Sequence, residues 1–234
     1  MFKTIKNALK TPEVRKKLLY TLLLIVIFRL GCYITVPGVD TITLADQMNS
    51  ATNGVTGLID TISGGAFSRL SIFAMSITPY ITASIVIQLL SMVIPSLERL
   101  VKEGGEEGKN KVNKYTKIVT IILALIEGLG IFFSYKSSRI FLDTTFLGGA
   151  ITVISLMAGT ALLMWLGEQI TNKGIGNGIS IIIFVGIVSG LASGITDVWN
   201  LIFGTGTFST LGLIKAVCLV VGMLALVAAV VFVQ

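Results

Sequence analysis

Histidine is absent from this chain, cysteine occurs twice and proline four times. Without imidazole there is no side chain that ordinarily titrates near neutrality to serve as general base or metal ligand. Cys32 and Cys218 lie inside apolar runs and show neither metal-like nor disulfide-like spacing, so zinc and redox roles lack support. No nucleophile–base set and no paired carboxylates occur within an apolar run, and the expectation is a protein that is not an enzyme. Charge is also scarce. Charged residues make up 13% of the chain, against about 25% in a typical soluble domain. The net charge of +6 is not spread as a basic patch for nucleic acid; it gathers at the ends of apolar runs. A cleavable leader is not evident either. The first apolar run follows a basic segment, 1–17, and no small-residue cleavage site follows it, so it reads as a retained span.

What the chain has is apolar length. Hydrophobic residues are 53% of it and the mean hydropathy is +0.90. They fall in long runs, and a bilayer-spanning helix needs about 20 such residues. The fold class expected is therefore an all-α polytopic membrane protein. Six candidate spans are 18–36, 70–94, 116–135, 146–166, 179–195 and 211–233, of which the third and fifth are short in strictly apolar residues.

Orientation follows from where the basic residues sit. Lys3, Lys6, Lys10, Arg15, Lys16 and Lys17 precede the first span. Arg99, Lys102, Lys109, Lys111 and Lys114 lie between the second and third, Lys117 lies at the boundary of the third, and Lys173 lies between the fourth and fifth. The opposite side carries Arg69, Lys136 and Arg139, while Arg29 and Lys215 fall within spans. The N-terminus is expected in the cytoplasm, with 37–69 facing outward. Segment 1–17 places Phe2, Ile5 and Leu9 at helical spacing among lysines. It reads either as a helix lying on acidic lipids or as a disordered basic tail. The loop 95–115, with its ERLVKEGGEEGKNKVNK run, is expected to be flexible and wet. It reads as a docking surface or, more commonly for mixed charge, as a solvated connector. The chain stops at Gln234 directly after the sixth apolar run, which reads as a fragment of something longer.

Three stretches carry functional information. Taken as a helix, 76–95 puts Ile77, Ile81, Ser84, Gln88 and Ser91 on one face, apolar toward the outside and polar toward the cytoplasm. Pro79 would bend that helix near its apolar end. Such a face lines a water-filled funnel with an aliphatic constriction, or it packs within a bundle; both readings stay open. The preceding GLIDTISGGAFSR, 57–69, has a short helical pattern in Leu58, Ile59 and Ile62 and a break at Gly64–Gly65. It is too short to span, and it re-enters from outside or forms an exposed loop with an amphipathic turn. In WLGEQITNKGIGNGISIII, 165–183, the glycines lack the strand and spacing of a phosphate-binding loop. They read as a tight turn, with Asn177 capping the next helix. Ile179 and Ile183 lie one turn apart at its start, and Gly186 and Gly190 allow close helix approach.

The first part of the proline-bearing span and this turn also resemble a known family. SIFAMSITPYITASIVIQLL (71–90) and WLGEQITNKGIGNGISIII (165–183) are similar to the two signature regions of the SecY family of protein-conducting channels. The similarity runs the whole chain, through the basic N-terminus, the VPG after the first span and SGGAFSR before the second. One departure is Ser76, where many members have glycine. The resemblance implies ten spans in two inverted five-span halves. Residues 18–195 would be the first half, and 196–234 an outer loop and the first span of an incomplete second half. It implies that Ile77, Ile81, Ile179 and Ile183 belong to an aliphatic pore ring. It also implies a plug formed by Gly57, Leu58, Ile59, Asp60, Thr61, Ile62, Ser63, Gly64, Gly65, Ala66, Phe67 and Ser68. Ser84, Gln88 and Ser91 would lie by a lateral gate. The partners implied are SecE- and SecG-like small membrane subunits, the SecA motor, the ribosome, signal peptides with nascent secretory chains, and membrane lipids. The location implied is a bacterial cytoplasmic membrane, and no cofactor is implied. The rival reading is a secondary transporter, another inverted-repeat fold, with Arg29 and Glu127 as its intramembrane ionisable groups.

Overall fold

The computed structural model describes residues 11–51, 55–102, 104–138, 140–203 and 210–233. Phe2, Ile5, Leu9, Lys3, Lys6, Lys10, Arg139 and Gln234 lie outside the described residues, as do the side chains of Leu58 and Lys215. The chain divides into two compact units, Met1–Ile187 and Val188–Gln234. Nine α-helices occur among the described residues: α1 Pro12–Gly31, α2 Thr41–Ala51, α3 Val55–Ser63, α4 Thr78–Val93, α5 Pro95–Lys102, α6 Gly105–Tyr135, α7 Phe146–Lys173, α8 Gly178–Phe203 and α9 Thr210–Val233. The described β-structure is two isolated bridges.

The helices are apolar on more than their packed faces. In α7, Thr152, Leu156, Thr160, Leu163, Leu166 and Ile170 are buried along one stripe, while Leu147, Ile154 and Trp165 on other faces are exposed. In α1, Leu24 and Phe28 are buried and Leu19, Leu22, Val26 and Leu30 are exposed. Helices apolar all round belong in lipid. Buried hydroxyls return to their own backbone: Thr120 donates to the Thr116 carbonyl at 2.7 Å and Thr160 to Leu156 at 3.2 Å. By length and composition, α6 with its 3-10 extension and α7 suffice to cross a membrane among the described residues. The pair α4 and α5 suffices too if counted as one span, although it bends by 104°. Helix α6 packs on both α4 and α7, and α1 packs on α7.

Several predicted limits move. The expected wet loop 95–115 is largely helical, as α5 and the first turns of α6. Its charges are placed for helix: Glu98 pairs with Lys102 one turn on at 2.7 Å, and Glu106 and Glu107 occupy the positive first turn of α6. Two of its glycines are spent on contact, since a Cβ at Gly104 or Gly108 would fall on the Leu100 carbonyl, while Gly105 takes the left-handed φ of +53°. With 31 residues, α6 is roughly 46 Å long and outreaches a bilayer core of about 30 Å. The predicted loop 167–178 is helix as far as Lys173. The first run is helical from Pro12 and ends at Gly31, so 32–36 is not part of the helix. The second run becomes helical only at Thr78.

The extended segment after α1 acts as a clasp. The Val36 N–H donates to the Leu70 carbonyl at 2.9 Å, and the Ile72 N–H to Ile34 at 2.9 Å. Farther along, the Asp40 N–H donates to Ile140 at 2.7 Å and the Leu142 N–H to Gly38 at 2.9 Å. Beneath these bonds lies one apolar cluster, which includes Val36, Leu44, Phe67, Leu70, Met75, Phe132, Ile140, Phe141 and Leu156. A second cluster joins Leu24, Phe28 and Cys32 with Ala66, Phe73 and Ile77, with Leu163, Leu166 and Ile170 of α7, and with Ile182 of α8.

Candidate functional site

The second cluster holds the four isoleucines singled out in the sequence. Ile77 is wholly buried. Ile81, Ile179 and Ile183 are half-buried and pack against the same cluster. Two helices that start in opposite places along the chain thus bring aliphatic side chains to one patch. The start of α8 is set as the sequence predicts: Asn177 Oδ1 accepts the Ile179 N–H at 3.0 Å and the Ser180 N–H at 3.5 Å.

The start of α4 is not. Ile77 is its N-cap and Pro79 lies in its first turn. There the missing N–H would have had no intrahelical partner, so Pro79 begins the helix rather than bending it. The sharp bend lies at the other end, before Pro95. Residues 70–77 form turns that include two left-handed residues, Leu70 at φ +41° and Ser76 at φ +52°. Ser76 is buried, and its Oγ is the one buried side-chain oxygen among the described residues that has no hydrogen-bond partner. The departure from glycine thus brings both backbone strain and an unsatisfied hydroxyl.

The face of α4 changes along its length. Ile77 is buried and Ile81 half-buried, whereas Ser84 and Gln88 are exposed. Ser91 is half-buried and donates to the Gln88 carbonyl at 2.7 Å. Ser84 and Gln88 are therefore open to solvent or to a partner, and among the described residues none of the three bonds to a neighbouring helix.

The candidate plug segment is a short helix and a tight turn. After α3, Gly64 at φ +68° and Gly65 at φ +81° reverse the chain where the sequence predicts a break. The Gly65 N–H donates to the Asp60 carbonyl at 3.0 Å. The Asp60 carboxylate accepts the Ser68 N–H at 2.7 Å, and Ser63 Oγ accepts the Phe67 N–H at 3.1 Å. Ser63, Ala66 and Phe67 are buried, so this is not an exposed loop. Ala66 belongs to the cluster that holds the isoleucines, while Ile59 and Ile62 are exposed. Gly57 and Thr61 are linked by a hydroxyl bond to the backbone at 2.8 Å.

The sequence reading left several links unseen because they join distant residues. Arg29 Nη1 donates to the Gly64 carbonyl at 3.1 Å. Lys117 Nζ and Glu168 Oε1 meet at 2.7 Å and tie α6 to α7. The Tyr20 hydroxyl donates to Gln169 at 3.3 Å, and the Arg69 guanidinium stacks 4.3 Å from the Tyr33 ring centroid. Glu127 lines a cavity of about 580 Å³ with Ile59, Phe67, Met75, Thr78 and Tyr135. Among the described residues no group of His, Cys, Asp and Glu could hold a metal ion.

The SecY family profile matches residues 71–234. The protein translocase subunit SecY of Bacillus licheniformis is 44% identical over 241 residues, covering 100% of this chain and 54% of that protein. The subunit SecY of Staphylococcus carnosus is 43% identical over 237 residues, with the same coverage of 100% and 54%. The chain thus spans about half the length of the curated relatives it matches. Among solved structures, Sec61 in the canine ribosome–channel complex from the endoplasmic reticulum superposes with a TM-score of 0.53 at 20% identity, over 81% of this chain and 37% of that one. A SecY whose plug domain is described as stabilising the closed state and maintaining a membrane seal superposes with a TM-score of 0.53 at 22% identity, over 77% and 37%. These likenesses extend the family relationship to the fold.

Proposed function

The chain belongs to the SecY family, and from that premise we propose that it supplies the N-terminal part of the pore-forming subunit of a protein translocase. It passes unfolded secretory polypeptides across a membrane and releases apolar segments sideways into lipid. What supports this reading is the common apolar cluster that joins Ile77, Ile81, Ile179 and Ile183 with Ala66 of the plug segment. A channel for polypeptides must accept cargo of changing chemistry and still hold back ions. Branched aliphatic side chains serve both needs, because they offer no polar partner to trap the cargo and they resist wetting. Segment 57–68 seals the closed state. Ser84, Gln88 and Ser91 belong to the polar funnel and lateral gate, where an apolar segment leaves by its own transfer free energy, a few tenths of a kcal/mol per favourable residue.

No bond is made or broken in this cycle, so the chain acts as a channel and not as an enzyme. The partners proposed are SecE- and SecG-like subunits, a SecA motor, the ribosome, and signal peptides on nascent chains. The location proposed is a bacterial cytoplasmic membrane with the N-terminus inside. Photocrosslinking tests the reading. A secretory chain stalled in the full-length channel should crosslink to probes at residues 81 and 183. Contact at neither position, together with gradient-driven uptake of a small solute by vesicles, would favour the transporter reading instead.

A further inference from the structure

We infer that Arg29 and Gly186 form a latch that sets the resting position of the plug by gripping the turn on which it pivots. This rests on reading 57–68 as a plug. The residues beyond that turn are fixed: Ala66 and Phe67 are buried, and Leu70 and Ile72 take part in the clasp. Helix α3 has its apolar Ile59 and Ile62 exposed. Movement of α3 against these fixed residues therefore turns at Gly64 and Gly65, the two left-handed glycines between them. Swinging α3 also parts the Asp60 carboxylate from the Ser68 N–H.

Within the turn, most polar groups satisfy one another: Gly65 with Asp60, Gly64 with Thr61, Ser63 with Phe67. The Gly64 carbonyl instead reaches outside the segment, to Arg29 on α1. Its direction depends on the dihedrals that a pivot must change. A guanidinium holding it therefore resists the pivot directly, and a cation there also complements the negative end of α3. Arg29 is half-buried within an apolar run, a costly place for a charge unless it has a task. Its partner is a neutral carbonyl, so opening does not require parting an ion pair.

A second helix meets the same turn. Gly186 on α8 lies so close that a Cβ would fall on the Ile62 carbonyl oxygen and within 3.7 Å of the Gly64 nitrogen. Two side-chain choices on two helices, one a donor and one the lack of any side chain, thus converge on a single turn.

The test is resting ion conductance of the full-length channel, with its small subunits, in planar bilayers without cargo. Arg29→Met should raise it roughly ten-fold, the population shift expected when one charge-assisted hydrogen bond is lost. Arg29→Lys should fall between, since the charge remains and the fork is lost. Gly186→Ala should raise it as well. In a channel lacking residues 57–68, Arg29→Met should add nothing; a general structural role would not produce that dependence on the plug. If deletion of 57–68 leaves conductance unchanged, the plug reading falls, and the latch with it. If the deletion leaks while Arg29→Met and Gly186→Ala match the parent, the latch alone is overturned. An equal effect of Arg29→Met with and without the plug overturns it too. Should Arg29→Met fail to assemble, Arg29→Lys and Gly186→Ala decide: parental conductance in both rejects the latch.

Discussion

The two apolar clusters are built from the same residue types and end differently. The clasp cluster draws Val36, Leu70, Ile140 and Phe141 from connecting segments, and main-chain bonds tie those segments together, while its Phe67 and Met75 also line the cavity beside Glu127. The isoleucine cluster has a buried centre in Phe28, Leu166, Ile170 and Ile182, but Ile81, Ile179 and Ile183 remain half-buried at its margin. Segments of the first cannot part without breaking backbone hydrogen bonds. The second is held by side chains on helices, with one flank uncovered. Backbone ties make a scaffold, and an aliphatic margin held by side chains alone makes a surface that other groups can meet and leave.

Four variants break or sharpen this contrast. The largest effect should come from Phe132→Ala, which removes a ring packed 5.2 Å from that of Phe141. It should cost about 3–5 kcal/mol, read as a lower unfolding midpoint of the channel in detergent. The pair Ile81→Ser and Ile183→Ser should do the reverse: stability falls by only about 1–2 kcal/mol for half-buried sites, while ion leakage rises and defective signal sequences are exported. Unchanged leakage and selectivity would remove the functional half of the contrast. Ser76→Gly should raise stability by about 1 kcal/mol by relieving the left-handed strain and the orphaned hydroxyl, measured by the same unfolding midpoint. The smallest effect concerns Asp143, outside the spans. The Thr145 N–H, 2.9 Å from its carboxylate, holds its carboxyl below the usual range. Its contribution is thus complete above the unfolded value near about pH 4 and fades as pH falls through the folded value. Asp143→Asn should remove that part of the acid dependence and leave the midpoint at neutral pH nearly unchanged.

Much of this was legible locally. The cap at Asn177, the break at Gly64–Gly65 and the short helix before it depend on neighbours within a few residues, and the sequence states them. The charges of 98–107 were equally local, yet glycine content hid the helix they favour, because a glycine chosen for close contact looks like one chosen for freedom. The role of Pro79 turned on where α4 begins. That start is set by left-handed residues at 70 and 76, which the clasp and the surrounding burial impose. The bond from Arg29 to Gly64 joins positions 35 residues apart, and no periodicity reports it.

The clasp has a consequence for how the chain tolerates change. Its bonds run between peptide groups, so replacing a side chain does not delete them; proline at a donor position does. Ile34, Val36, Gly38 and Asp40 stitch the exit of one long helix to two remote stretches, around 71 and 141. Sideways strain arriving at any of these three places is shared by the others as tension in a common hoop. Drift in the side chains around that hoop can therefore proceed without loosening the frame.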